Sequence, residues 1–249
     1  MITLKMISDR INRMQVYRSA KYWDDLAESS YGDNGTLLYT NPHLNVIYHK
    51  VEGDIVHGWA SNVAGAAVLD IGCGAGRYSR EFAERGARVH GIDFSQKSIE
   101  VARRLSTDTS VHYSVGSIFD LNFDREFEWV VCSRVLAVAC KNADDVKVCA
   151  DLIFRALKPG GKALFIEPTH RSFMRRDLRL NLREFQCVLS SAGFEVIDTK
   201  CAEFYPSRML LAYLRLPEGL TQNLFAAGEA IVRSLPRTSD QKFVLAVRK

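Results

Sequence analysis

The 249-residue chain has no apolar run near the roughly 20 residues that a membrane-spanning helix requires. Its longest, such as Met209 to Leu214, are far shorter, and no segment is expected to cross a bilayer. The N-terminal stretch MITLKMISDRINRM interrupts every apolar pair with a charge, so it lacks the continuous apolar segment of a secretory signal; a cytoplasmic protein is the expectation. Internal repeats and low-complexity tracts are missing, and so are C-x-x-C pairs. Cys73, Cys132, Cys140, Cys149, Cys187 and Cys201 stand singly in apolar segments with no histidine close enough to complete a zinc motif. Free buried thiols follow, with no disulfide framework and no metal. An excess of one charge is lacking too: 33 basic against 29 acidic side chains leave +4, compatible with an anionic partner but too mild to demand nucleic acid. The remaining composition, 47% hydrophobic and 25% charged, excludes disorder, collagen and coiled coil and suits one globular domain with a small elaboration.

What is present is alternation. Ala66 to Asp70, Arg88 to Asp93, Val111 to Val115, Trp129 to Ser133 and Lys162 to Glu167 read as short, mostly buried strands. Ser79 to Arg85, Ser95 to Ser106 and Ala143 to Leu157 read as helices between them, with Ser95 and Asn142 as N-caps. Strand and helix in turn imply right-handed crossovers and a parallel sheet covered on both faces. Beyond Glu167 come a helix near Asn181 to Ala192 closed by Gly193, a strand near Glu195 to Cys201, two more helical segments and a last strand at Lys242 to Arg248. Toward the N-terminus, Asn41-Pro42 supplies a cap and a first helical residue for an amphipathic helix ending about Trp59. Residues 1–62 are expected to form a helical cap over the sheet, and 63–249 a Rossmann-like core with lid helices within about 170–236.

The stretch VLDIGCGAGRYS, Val68 to Ser79, falls where the first strand turns into the first helix. Gly72, Gly74 and Gly76 remove side chains where a ligand approaches backbone, and the helix start behind them offers unpaired N–H groups to an anion. Asp93 ends the second strand, where an acidic residue accepts hydrogen bonds from both hydroxyls of a ribose. A nucleoside-bearing ligand across these two strands is the expectation. The strict G-x-G-x-x-G spacing fails, because Arg77 stands where its third glycine belongs, which disfavours a nicotinamide oxidoreductase. Asp70 would repel a pyrophosphate but pairs well with the ammonium group of an amino acid, directly or through water.

These residues resemble the class I S-adenosylmethionine-dependent methyltransferases of small-molecule type. VLDIGCGAGRYS is similar to that family's first motif, HGIDFSQKSIEVAR to its second, GSIFDL to its third, FEWVVCSRVLAV to its fourth and LKPGGKALFIEP to its fifth. The resemblance implies an α/β, doubly wound seven-stranded sheet of order 3-2-1-4-5-7-6, with the last strand, Lys242 to Arg248, antiparallel. It also implies S-adenosyl-L-methionine as cofactor and S-adenosyl-L-homocysteine as product. By the same resemblance, Gly72, Cys73 and Gly74 meet the methionine part through backbone, Asp93 takes the ribose and Phe94 packs on the adenine. A common family pattern has Asp after the glycine of the third motif; this chain has Ser117 beside Ile118, whose hydroxyl still accepts the adenine amino proton. Ser133 and Arg134 border the sulfonium and the acceptor, and Tyr22, Trp23 and Tyr39 are available in the cap to close over the cofactor.

In-line methyl transfer needs a base only when the acceptor carries a proton that must leave. His170, three residues past Glu167 at the carboxyl end of the fifth strand, is the first candidate; Glu167 itself, with His43 and His49 on the capping helix, are the others. Cys73 is expected to present backbone rather than a reactive thiol. Arg171, Arg175, Arg179 and Arg183, with Arg176, would form a basic stripe if helical, either a solvated face or a contact for an anionic substrate or membrane surface. The amphipathic tail from Phe204 to Pro236 suits a greasy entrance. The function expected is methylation of an oxygen, nitrogen or carbon on a metabolite or natural-product intermediate, anionic, amphipathic or lipid-linked. Two rivals stand beside it. One is a non-methylating protein that keeps the pocket as a scaffold, partner subunit or cyclase. The other is an RNA methyltransferase, disfavoured because CSRVL lacks the Asn/Asp-Pro-Pro-aromatic signature of base amino methylation. No motif addresses oligomeric state.

Overall fold

The computed structural model describes residues 17–28, 41–107, 110–169 and 178–249. Seven strands form one sheet: β1 (Ala67–Ile71), β2 (Arg88–Asp93), β3 (Val111–Val115), β4 (Phe127–Ser133), β5 (Leu157–Glu167), β6 (Phe194–Phe204) and β7 (Ser239–Arg248). Their order is β3-β2-β1-β4-β5-β7-β6. β1 to β5 run parallel, and β7 is antiparallel to both β5 and β6. The direction of winding reverses between β1 and β4, and ligands of such sheets bind in the crevice outside the carboxyl ends of those two strands.

Alternation along the strands divides the core into two layers. Leu69, Ile71, Val130, Cys132, Phe165 and Val244 face helices α6 (Ala143–Ala156) and α7 (Leu182–Ser191). Val68, Val131, Leu164, Ile166, Phe243 and Leu245 face α2 (Pro42–Trp59) and α3 (Arg77–Ala83), which contribute Val56 and Phe82. The expected cap helix therefore shares its core with the sheet. Its first half makes a satellite cluster in which Leu44 and Tyr48 pack on Leu211, Ala212 and Phe225 from α8 (Tyr205–Leu211) and α9 (Glu218–Ser234), with the residue that follows α8.

Local chemistry sets the element ends. Ser95 accepts from Ser98 N at the head of α4 (Gln96–Leu105), and Asn142 accepts from Asp145 N at the head of α6. α3 starts at Arg77, two residues earlier than the apolar pattern suggests, because Gly76 takes a left-handed φ of 78° and its carbonyl accepts from Arg80 N. β5 begins at Leu157 rather than Lys162, since Leu157 pairs with Phe127 across a bulge that the Pro159-Gly160-Gly161 sequence accommodates. The basic stripe is not one helical face in its described part. A capping box between Asn181 and Glu184 starts α7, so Arg183 is helical while Arg179 lies in the irregular segment before it; Arg171, Arg175 and Arg176 lie outside the described residues. All six thiols are free, four of them buried. Among the described residues no helix is long and apolar enough to cross a membrane.

Asn41 ties the two ends of the chain together. Its fully buried side chain caps α2 by accepting from His43 N and Leu44 N, and its amide donates to Leu214 O at 3.0 Å and Thr221 Oγ1 at 3.2 Å. Asn41→Ala removes a cap and leaves buried partners unpaired, and it is expected to cost about 2–4 kcal/mol in urea unfolding. A loss below about 0.5 kcal/mol, the usual size of a neutral surface change, would show that the tie is not structural.

Candidate cofactor and substrate site

The glycine loop hangs on the end of β2. Gly72 N and Cys73 N both donate to Ile92 O, at 2.7 and 3.0 Å, and Gly76 N donates back to Cys73 O. Gly72, Gly74 and Gly76 all have left-handed φ, which L side chains rarely adopt. Two of these glycines also serve internal packing. A Cβ on Gly72 would overlap a Val135 methyl, and one on Gly76 would overlap the Tyr113 hydroxyl.

Asp93 locks this arrangement. Its Oδ2 accepts from Gly74 N and its Oδ1 from Ser95 N, both at 2.9 Å, so each oxygen retains a further lone pair. Burial pushes its pKa up to about 6 against the lowering effect of those two amides. Phe94 follows, half-buried, at the head of α4. Asp70 lies behind the loop, 2% exposed, and accepts from Ser79 Oγ at 2.6 Å. That bond anchors the start of α3 and accounts for the carboxylate in a way that the expected ammonium pairing did not foresee. Burial raises Asp70 to about 6 as well. Cys73 is buried and its thiol is pushed well above the ordinary range by burial, so it presents no nucleophile.

On the third motif, Ser117 Oγ accepts from Phe119 N and caps a single helical turn at Ile118–Asp120. The Ile118 side chain, expected at the cofactor, is 5% exposed and belongs to the core layer with Leu69 and Ile92. Glu167 is likewise corrected. Its two oxygens accept from Leu136 N at 2.8 Å and Ala137 N at 3.0 Å, so it holds the short helix α5 (Leu136–Ala139) after β4 and is not a free base. His170 and Tyr39 lie outside the described residues. His43 is half-buried in the first turn of α2, six residues and about 9 Å of helix axis before His49.

The N-terminal helix α1 (Ala20–Glu28) crosses toward this site. Asp24 Oδ1 accepts from Ser95 Oγ at 2.6 Å and Lys97 N at 3.1 Å, while Arg18 just before the helix donates to Cys140 O beyond β4. The segment therefore bridges the exits of β2 and β4. Tyr22 and Trp23 meet edge to face, and both contact Tyr17 with tilted rings, the centroids lying 5.0–5.7 Å apart.

Beside the β4 exit lies a buried ionic network that the sequence reading only half found. Arg134, named as a site residue, has a left-handed φ of 60° and donates through Nη2 to Glu52 and, at 3.4 Å, to Glu203. Glu52, on α2 and fully buried, also accepts from Arg77 Nη2 at 2.7 Å and Tyr78 Oη at 3.3 Å. Burial pushes Glu52 up, but the guanidiniums of Arg134 and Arg77 outweigh it and hold the carboxylate at about 2. His49, one helical turn before Glu52, is lowered to about 4 by burial and by Arg77, which keeps its imidazole neutral at physiological pH. The His49/Glu52 spacing on a helix that otherwise faces the core was the available signal. Among the described residues no His, Cys, Asp and Glu side chains are grouped to hold a metal ion.

Glu167 gives the region a pH signature. Burial raises its pKa from 4.5 to about 7, so the folded state holds its proton more tightly than the unfolded chain does. The stability it contributes is complete below pH 4.5 and lost as pH rises toward 7. Glu167→Gln is expected to flatten the decline of the denaturation midpoint over that interval; parallel wild-type and variant profiles would remove Glu167 as its source.

Comparison with known proteins follows the same geometry. A family model described as a methyltransferase domain matches residues 68–161. The chain is 37% identical over 115 residues to a ubiquinone biosynthesis O-methyltransferase of Xanthomonas oryzae pv. oryzae, covering 45% of this chain and 46% of that protein. It is 35% identical over 121 residues to a cypemycin N-terminal methyltransferase of a Streptomyces species, covering 47% and 49%. The chain thus spans about half the length of the curated relatives it matches. Among solved structures, magnesium protoporphyrin IX methyltransferase from Synechocystis, with S-adenosylmethionine bound, superposes with a TM-score of 0.62 at 17% identity over 92% of this chain and 97% of that one. Residues 68–161 thus match the methyltransferase-domain model, and the seven-stranded fold around them is similar to that of the solved methyltransferase.

Proposed function

We propose that this protein transfers the methyl group of S-adenosyl-L-methionine to an oxygen, nitrogen or carbon of a small-molecule acceptor, with S-adenosyl-L-homocysteine as product. The observation that carries the reading is the Asp93 carboxylate at the end of β2, bonded to Gly74 N at 2.9 Å and still able to accept from two ribose hydroxyls. The names of the two relatives, one an O-methyltransferase and one an N-terminal methyltransferase, support it.

The residues present suit the cofactor. Gly72, Cys73 and Gly74 would meet its methionine part through backbone, Asp93 its ribose, Phe94 its adenine face and Ser117 the adenine amino group, with Asp70 and Gly76 shaping the loop from behind. Ser133, the half-buried last residue of β4, and Arg134 would border the acceptor. When bound, the cofactor supplies an electrophilic methyl group on a sulfonium. The chain's task is then to align donor and acceptor and to exclude water, which α1 with Tyr22 and Trp23 serves by spanning the β2 and β4 exits. We read α2, α8 and α9 as the wall of the acceptor site and the lid region of the domain. Leu210, Leu214 and Leu220, each more than 40% exposed on or beside α8 and α9, favour an acceptor with an amphipathic part. Six free thiols fit a reducing compartment, and we propose the cytoplasm.

Calorimetric titration with S-adenosylmethionine, S-adenosylhomocysteine and NADH in parallel is expected to show binding of the first two and none of the third. Asp93→Ala is expected to weaken both by about tenfold or more, the worth of a charged hydrogen bond. Unchanged affinity in that variant, or binding of NADH alone, would overturn the assignment.

A further inference from the structure

Glu203 is the anomaly of the site. It ends the regular part of β6 with a left-handed φ of 68°, its side chain is fully buried, and its Oε2 has no hydrogen-bond partner among the described residues. Left-handed backbone at a non-glycine residue is strained, and a buried carboxyl oxygen without a partner is costly; both persist only where the surroundings hold them in place. Here the holding contacts are visible. Glu203 N donates to Glu229 Oε1 on α9 at 2.7 Å, and Glu203 Oε1 meets Arg134 Nη2 at 3.4 Å. The broken alternation matters for direction. Ala202 lies in the core layer that faces α2, and the left-handed residue after it turns Glu203 toward Arg134 instead of the opposite face.

Gln241 offers a second such atom. Strand register pairs it with Ala202, one residue from Glu203; it is 3% exposed, its amide nitrogen donates to Asp240, and its Oε1 is unpartnered. Two oxygens without a partner among the described residues thus belong to side chains on neighbouring strands, one residue apart in register, and Arg134, which contacts Glu203, is 26% exposed. We propose that Glu203 and Gln241 form a subsite that takes the hydrogen-bond donor group, a hydroxyl or an amine, of the acceptor molecule. This rests on the methyltransferase reading above and names the chemistry its acceptor must carry.

The contact that a ligand must displace is weak. Arg134 to Glu203, at 3.4 Å, is longer than the about 2.7–2.9 Å of a good charge-assisted bond. Arg134 keeps Glu52 when it yields, so no charge is stranded. The charged groups facing the Glu203 carboxyl are Arg134, Glu52, Asp240 and Arg208. Burial first, and the Glu52 and Asp240 charges with it, raise its pKa well above the ordinary carboxylate range against the opposing guanidiniums of Arg134 and Arg208.

A subsite kept for a ligand and a residue kept for the fold respond oppositely to an apolar replacement of similar size. Glu203→Met is expected to raise the thermal midpoint of the cofactor-free protein by about 3 °C, because it removes an unsatisfied buried polar group. Catechol, benzylamine and anisole serve as probes, read by ligand-observed NMR on wild type and variant, with and without S-adenosylhomocysteine. Catechol or benzylamine, which distinguish hydroxyl from amine, is expected to bind wild type and to lose about tenfold or more in the variant, while anisole, which has no donor, shows neither effect. A lower midpoint in Glu203→Met, or donor probes that bind no differently from anisole, would overturn the subsite and leave a structural acid, or a water, in its place. Failure of wild type to bind S-adenosylhomocysteine would instead refute the methyltransferase reading, and the donor-probe comparison without cofactor separates the two.

Discussion

Almost every part of the site is tied, directly or at one remove, to the carboxylate of Asp93. One oxygen receives the glycine loop through Gly74 N, the other receives the head of α4 through Ser95 N. Ser95 in turn donates to Asp24, which brings the N-terminal helix over the crevice. A buried acid is costly to maintain, and its pKa near 6 reflects that cost. Backbone amides offset part of it, and because they come from two different elements the same bonds set the relative position of loop and helix.

A second constraint acts beside the β4 exit. Arg77 and Arg134 share the single carboxylate of Glu52, which is drawn from the helix preceding β1. A pairing of this kind contributes little net stability, since desolvation consumes most of the Coulomb gain. Its effect is positional: removing one member would strand a charge in the interior, so α2, α3 and the β4 exit are obliged to keep their places. Burial and Arg77 lower the His49 pKa in that field, and burial raises that of Glu203 on its far side.

The two carboxylates at strand ends illustrate how position changes role. Asp93 and Glu167 both stand at the carboxyl edge of the sheet, where sequence reasoning assigns ligand contact or proton transfer. Asp93 binds the glycine loop and the head of α4 through one amide on each oxygen, whereas Glu167 binds Leu136 N and Ala137 N and fixes the turn after β4. Glycine shows the same division, with Gly72 and Gly76 leaving room for Val135 and Tyr113 as well as for a ligand. Residue type and spacing do not distinguish these cases, because the neighbour that claims each atom comes from a distant part of the chain.

The strands, the caps at Ser95, Asn142 and Asn41 and the glycine loop are legible in the linear pattern, because each depends on bonds between residues a few positions apart or on a periodicity that local burial imposes, whereas the strand order follows only from the resemblance to a known family. Boundaries at α3 and β5 shifted by a few residues where Gly76 and the β4 bulge overrode the apolar period. The partnership of Glu52 with Arg134, the left-handed turn at Glu203, the bridge from Asp24 to Ser95 and the tie from Asn41 to Thr221 were not legible. Their partners are separated by 69 to 180 residues in the chain, and only the packing of α2, β6 and the terminal helices on one sheet edge brings them within bonding distance. Local sequence thus set the scaffold and the cofactor loop. The buried charges beside the β4 exit owe their arrangement to tertiary packing, since an ion pair in the interior exists only where folding has excluded water from both partners at once.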